Sequence, residues 1–469
     1  MNVKSHHRLK KFLLCTLAIL CCGSLHAQER GKPNIVIIMA DDLASNELSC
    51  YGGKNLKTPH IDALAEEGLK FKQVYASEAM CVPLRASLFT GLYPARHGSF
   101  QNHKPVLSNL KSIGHYLGDL GYRVALTGKD HSTRPRTVFP FEIIQGFETN
   151  CVANSADYTL DSLRRFVSTS QKPFCLFVMS INPHIPWTVG DPSEFDSEKL
   201  ILPPNWIDTK ETRQQYTKYL AEIRQLDNEV GDVRRMLKDT GQDKNTMVVF
   251  LGEQGPQFPG GKWTLWDHGQ KSAMIVKHSG KVKAGSQTDA LVQYEDITPT
   301  LVALAGGKAI QGLDGSSFLN VIEGQSDKHR QYAYSLHNNI PEGPSYPMRS
   351  IRDSQYKLIL NLTPEAKYHI KYMMTPGRNT VIWDTWQKEA RHSERAKFLI
   401  ERVTDRPAVE FYDTRKDPWE LNNLAQDPAY AGTIKMFTAE LQKWMQQQGD
   451  EGAAMDKVYT QQNEQRKRK

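Results

Sequence analysis

The chain has 469 residues with 59 Lys and Arg against 52 Asp and Glu, a formal net charge of +7. That length exceeds the ~250–300 residues at which a single core stops growing and points to one large domain with a smaller second one. Seven cysteines, three of them in the first 22 residues, exclude a disulfide scaffold, and a charge this near balance gives no reason to expect a nucleic-acid partner.

Residues 1–27 read as a secretory leader. Lys4, Arg8, Lys10 and Lys11 form a basic start, residues 12–22 an apolar run, and Leu25-His26-Ala27 a small-residue cleavage site. The apolar run is shorter than the ~20 residues of a membrane span. Cleavage and export, to a bacterial periplasm or beyond it, are therefore expected rather than an anchor, with no span left in the mature chain. Cleavage removes four of the 59 basic residues and none of the 52 acidic ones, leaving +3. Part of that charge sits in Arg466-Lys467-Arg468-Lys469, the end of a polar, Gln-rich stretch at 451–469 that reads as a solvated tail. Four cysteines stay: Cys50, Cys81, Cys151 and Cys175.

The first predicted strand is Asn34-Ile35-Val36-Ile37-Ile38-Met39, apolar and rich in β-branched residues, as in a strand buried on both faces. Similar runs recur at 123–126, 174–181, 246–251 and 273–276. Helical patterns separate them: Thr58-Pro59-His60-Ile61-Asp62-Ala63-Leu64-Ala65 with its proline near the start, residues 110–120, and the charged stretch 211–237. Strands alternating with helices predict an α/β domain over 28–330, built on a parallel sheet covered on both faces. In such sheets, sites gather beyond the carboxyl ends of the strands. From about residue 331 the texture changes. Short polar strand patterns at 332–336, 348–351 and 356–360 and a helix at 429–448 predict a small α+β domain with an antiparallel sheet over 331–450. Residues 368–404 give no readable pattern.

Two oxygen-rich pairs end predicted strands. Asp41-Asp42 follows the first strand, and Glu253-Gln254 follows the strand at 246–251. Adjacent carboxylates at a loop start repel unless a cation joins them, or else they cap a helix. One hard divalent ion with oxygen ligands would account for both pairs. Between them lies Cys81-Val82-Pro83-Leu84-Arg85-Ala86-Ser87-Leu88-Phe89-Thr90-Gly91. A cysteine near a proline is, taken alone, usually a small buried hydrophobe. Lys129 and Lys262 alone could be solvated lysines, and His131 and His184 ordinary loop histidines.

Taken together and in order, Asp41-Asp42, the Thr58 to Ala65 segment, the Cys81 motif, Gly128-Lys129-Asp130-His131, Asn182-Pro183-His184 and Glu253-Gln254 before Gly255 resemble the type I sulfatases over nearly the whole mature chain. The resemblance implies a large alkaline-phosphatase-like domain with a mostly parallel central sheet, plus the smaller antiparallel one. It also implies that a formylglycine-generating or anaerobic sulfatase-maturating enzyme oxidises Cys81 to formylglycine, whose hydrate attacks sulfur. Asp41, Asp42, Glu253 and Gln254 become ligands of one calcium ion with residue 81 beside it. Arg85 would hold the hydrate, and Lys129, His131, His184 and Lys262 would contact the sulfate or leaving group. Those roles are coherent, since cationic donors stabilise charge on sulfate oxygens and histidine exchanges protons near neutral pH. Asp267 and His268, after Trp263-Thr264-Leu265-Trp266, are candidates for the substrate pocket or simply open the next strand.

Two departures from the family pattern stand out. Glu253-Gln254 replaces the more usual Asp followed by Asn or His, and Leu84 replaces a small residue. Several stretches resemble the sulfamidase branch, N-sulfoglucosamine sulfohydrolase: Val138-Phe139-Pro140-Phe141, Phe258-Pro259-Gly260-Gly261-Lys262 and Ser345-Tyr346-Pro347-Met348-Arg349-Ser350, which makes Arg349 a further substrate-binding candidate. Glu410-Phe411-Tyr412-Asp413 and the Asp417-Pro418 segment complete the pattern, and Lys262 stands where that branch carries arginine. The expected substrate is a sulfated saccharide, with N-sulfoglucosamine of heparin or heparan sulfate ahead of other O-sulfated glycans such as algal polysaccharides. A phosphoester hydrolase would more usually present serine or threonine at position 81, and a silent sugar-binding relative would keep the thiol.

Overall fold

Among the described residues, twelve strands form two sheets: β1 (Asn34–Met39), β2 (Leu69–Tyr75), β3 (Arg123–Gly128), β4 (Glu142–Ile143), β5 (Phe174–Met179), β6 (Thr246–Leu251), β7 (Lys271–His278), β8 (Ser286–Gln293), β9 (Ala333–His337), β10 (Met348–Arg352), β11 (Tyr356–Asn361) and β12 (Val409–Asp413). The computed structural model describes residues 31–375 and 381–455. The expected leader at 1–27 and the tail beyond residue 455 lie outside the described residues.

The large sheet runs β4-β3-β5-β1-β6-β7-β2-β8. Only β7 opposes its neighbours; the other seven strands are parallel to one another. Alternation along β1 splits the core in two, as a period of two requires. Ile35, Ile37 and Met39 pack with the Cys81–Thr90 and Ile297–Leu304 helices, whereas Val36 and Ile38 pack under the long helix Lys210–Asp239. With both faces covered, β1, β5 and β6 are buried throughout, which is why each reads as a continuous apolar run.

Three strands of the large sheet escape the apolar-run criterion, one of them the exposed two-residue edge strand β4. In β2, Leu69 and Phe71 alternate with the half-buried Lys70 and Lys72, and β8 opens with the polar Ser286-Gln287-Thr288-Asp289 at the sheet edge. Polar residues there discourage edge-to-edge pairing. The second sheet, β12-β11-β10-β9, is antiparallel throughout. The helix Ala431–Gln448 covers one face through Phe437, Leu441 and Trp444, spaced as one helical stripe, against Leu336, Ile351, Leu358 and Phe411.

The unreadable stretch 368–404 contains three short helices, Lys371–Met374, Val381–Glu389 and Glu394–Thr404. Their Trp383, Trp386 and Leu399 join the core beneath Lys210–Asp239. Helices this short carry too few turns for a periodic signal. Among the described residues no helix is long and apolar enough to cross a membrane.

Candidate active site

Four of the parallel strands deliver residues to one place. Asp41 and Asp42 leave the end of β1, Lys129 follows β3, His184 comes five residues after β5, and Glu253 follows β6. Cys81 arrives six residues after β2 as the first residue of a fully buried helix, where the N-terminal partial charge favours a negative group. Proline is tolerated in that first turn because its missing N–H had no partner to lose. Arg85 lies one turn on, on the same face as Cys81. Leu84 joins the apolar core with Leu88 and Phe89. Gly128 permits the turn into Lys129: its φ is +84°, and a Cβ there would stand 2.0 Å from the Met179 carbonyl oxygen.

The carboxylates and cations interlock. Lys129 donates to Asp41, Lys262 to Asp42 at 2.7 Å, and Arg85 Nε to Glu253 at 2.7 Å. Asp42, held at a φ of +61°, donates its backbone N–H to Glu253 at 3.0 Å. Gln254 Nε2 donates to Asp42 at 2.6 Å and lies 3.2 Å from the Cys81 sulfur. The sulfur is 3.5 Å from Asp41 and 3.9 Å from Asp42. Oxygen, nitrogen and sulfur ligand atoms of Asp41, Asp42, Cys81 and His184 all fall within 4.8 Å of one another.

Burial would raise the Asp41 pKa, but the Lys129 ammonium and His184 outweigh it and hold the carboxyl well below the usual range. Burial pushes the Cys81 thiol well up, and Glu253 adds to it, so the unmodified side chain stays a thiol and a poor nucleophile. His184 and His131 are both shifted down, by burial first and then by Lys262 and Lys129 respectively, so each is a neutral imidazole near pH 7. His184 Nδ1 is 2.6 Å from the Ile185 carbonyl, which assigns its proton there and leaves Nε2 facing Asp42 at 3.7 Å.

Three carboxylates, Asp41, Asp42 and Glu253, face three cations, Arg85, Lys129 and Lys262, so the buried cluster is close to neutral. Two atoms in it have no partner: Gln254 Oε1, an acceptor, and Arg85 Nη1, a donor. Buried polar atoms are seldom left so. An orphan amide oxygen amid three carboxylates is a donor set that suits a hard cation such as calcium. An orphan guanidinium N–H beside residue 81 suits an oxygen substituent there.

The structure thus gathers Cys81, Arg85, Lys129, His184, Lys262 and both oxygen-rich pairs. His131 stands at the rim, 3.6 Å from the Cys151 sulfur. His103 joins it with ring centres 5.8 Å apart, and Glu342 lies 4.0 Å from His103. Sequence reading missed His103; its φ of +65° in a turn was the available signal, invisible without coordinates. The remaining three candidates are placed elsewhere. Arg349 is fully buried and donates to Asp450 and Asn338, so its guanidinium is structural in this conformation. Asp267 is clamped by Arg352 at 2.6 Å and Lys357 at 2.8 Å, and His268 meets Asn205 at 3.0 Å. None of the three touches the cluster around Cys81.

A mostly parallel sheet flanked by helices, with an oxygen-rich cluster and Cys81 at its carboxyl edge, is the architecture of alkaline-phosphatase-like enzymes. Comparison with known proteins narrows this. The family described as "Sulfatase" matches residues 33–307, and "N-sulphoglucosamine sulphohydrolase, C-terminal" matches residues 260–377. An ulvan-active sulfatase of Formosa agariphila is 31% identical over 430 residues, 89% of this chain and 81% of that protein. Human N-sulphoglucosamine sulphohydrolase is 28% identical over 485 residues, 92% of each. A solved structure described as in complex with its substrate D-glucosamine-2-N,6-O-disulfate superposes with a TM-score of 0.69 at 21% identity, covering 90% of this chain and 99% of that one. The chain belongs to the sulfatase family and is a sulfuric ester hydrolase.

Proposed function

We propose that the protein is an exported, calcium-dependent sulfatase that takes sulfate from a sulfated carbohydrate through formylglycine formed at Cys81, with terminal N-sulfoglucosamine of heparin or heparan sulfate the leading substrate. The observation that carries this reading is the pair of orphan atoms, Gln254 Oε1 and Arg85 Nη1, beside residue 81. Asp41, Asp42, Glu253 and Gln254 Oε1 are the oxygens that would hold the ion. When present, calcium supplies fixed positive charge at the sulfate and formylglycine supplies an attacking hydroxyl.

The chain's own groups have separable tasks. Lys129 and Lys262 are ammonium donors at the site where negative charge develops, worth most in a buried setting. Arg85 orients the oxygen borne by residue 81. His184, its Nδ1 proton committed to Ile185, presents Nε2 as a proton acceptor, while His131 at the rim is assigned to the leaving oxygen or nitrogen.

The sulfamidase version is supported by the match of residues 260–377 to the C-terminal region of that enzyme and by similarity across both whole chains. A second version, an O-sulfatase on an algal glycan, is favoured by the similarity to an ulvan-active sulfatase. Sulfate release from matched panels of N- and O-sulfated saccharides separates them; no release from any N-sulfated sugar removes the first. The Cys81 peptide, isolated from the native host, should have the mass for CH2SH replaced by CHO. A retained thiol with saccharide binding would make the protein a silent sugar-binding relative. Export predicts that the mature N-terminus begins after Ala27.

A further inference from the structure

A cavity of about 710 Å3 opens beside β2 and β7, walled on its far side by the turns that follow β10 and β12. No residue of the candidate active site lines it, whereas Asp267 and His268 both do.

Its charge is one-sided. Lys70, Lys72, Lys271, Arg352 and Arg415 line it against only two carboxylates, Asp267 and Asp289. Asp289 is matched by Lys72 at 2.8 Å, and Asp267 by Arg352 at 2.6 Å, with Lys357 adding a second bond. Three cations, Lys70, Lys271 and Arg415, are left without a carboxylate at ion-pair distance among the described residues. Lys70 donates to the Cys50 carbonyl, and Arg415 reaches the Ser354 carbonyl at 3.1 Å and its hydroxyl at 3.0 Å. The half-buried Lys271 ammonium has no hydrogen bond and no ion pair among the described residues; Asp267 and Glu420 are its opposing charges, beyond direct contact. An ammonium in that setting without an acceptor is unfavourable, and the cavity is where an acceptor can reach it. Trp419, half-buried in the same wall and braced edge-on by His268 at 5.4 Å, offers the flat apolar surface on which a pyranose ring packs.

We propose that this cavity is a second, non-catalytic site for an anionic saccharide, its sulfate or carboxylate accepting from Lys271 and Arg415 and its ring lying against Trp419. The inference rests on the reading that the substrate is a sulfated glycan, because a chain with charge on successive units could engage the cavity and the catalytic cluster alike.

The test is calorimetric titration of the Cys81→Ala protein with a heparin-derived tetrasaccharide. Two binding events are expected. Adding Lys271→Met, or separately Trp419→Ala, should weaken one event at least tenfold and leave the other. Lys271→Met breaks no hydrogen bond and no close ion pair, so its Tm should change little, which separates lost binding from lost folding. If neither substitution changes the isotherm, the proposal is overturned while the catalytic reading stands. A single event abolished by Lys271→Met would sink binding at the Cys81 cluster and keep the cavity. Displacement of the Lys271-dependent event by equimolar inorganic sulfate would overturn the saccharide assignment.

Discussion

Arg85 and Glu253 are joined at 2.7 Å with both side chains almost completely out of water, and this pair ties the Cys81 helix to the end of β6. Removing one partner of such a pair leaves an uncompensated buried charge and costs about 3–5 kcal/mol, whereas removing both is far milder. Arg85→Met should therefore lower stability by about that amount in urea titration, and Arg85→Met with Glu253→Gln should recover most of it. Neither variant should release sulfate, because both lack the Nη1 donor beside residue 81. Equal destabilisation by the single and double variants would show that the pair is not coupled.

The four oxygen donors should make stability and activity depend on a divalent ion. At 100 times its dissociation constant, a ligand bound only to the native state adds about 2.7 kcal/mol. Treatment with EGTA is expected to abolish sulfate release and to lower Tm. Calcium should restore both better than magnesium, whose tighter octahedral geometry suits a flexible Glu-Gln pair poorly. Gln254→Leu should blunt the calcium-dependent rise in Tm; an undiminished rise would take Gln254 out of the ligand set.

Most of this centre is legible in sequence because each part is local to a strand end: Asp41-Asp42 after one apolar run, Lys129 and His184 after others, Glu253-Gln254 after a fourth. The Arg85–Glu253 pair is not, since 168 residues separate its members. Nor is the fate of Arg349 and Asp267, whose motifs resemble substrate contacts but whose charges are consumed by Asp450 and by Arg352 and Lys357. Whether a polar side chain faces substrate or a partner depends on which distant element packs over it. β2 stayed hidden for a related reason: Lys70 and Lys72, which disguise it, are among the residues that line the second cavity.

Leu84 departs from the small residue expected at its motif position, and its side chain is fully buried. It belongs to the same apolar core cluster as Leu88 and Phe89. Leu84→Ala should cost about 2–5 kcal/mol, as buried leucine truncations do. Denaturant titration measures that loss, and a change under 1 kcal/mol would mean that the core closes around the gap.

Glu47 gives a pH signature remote from the catalytic cluster. Burial raises its pKa from 4.5 to about 7, despite a hydrogen bond donated by Tyr216 at 2.6 Å, and its other oxygen has no partner. The folded state therefore holds a proton that the unfolded chain releases at about 4.5. Between those values the native state binds more protons, so stability falls as pH rises, and the loss is complete above about 7. The full span is of order 3 kcal/mol. Glu47→Gln keeps the acceptor for Tyr216 and cannot ionise, so over pH 5 to 8 the variant should gain on the native protein up to about pH 7 and level off above it. Urea midpoints across that range check it, and parallel curves for the two proteins would show that Glu47 is already charged at pH 5.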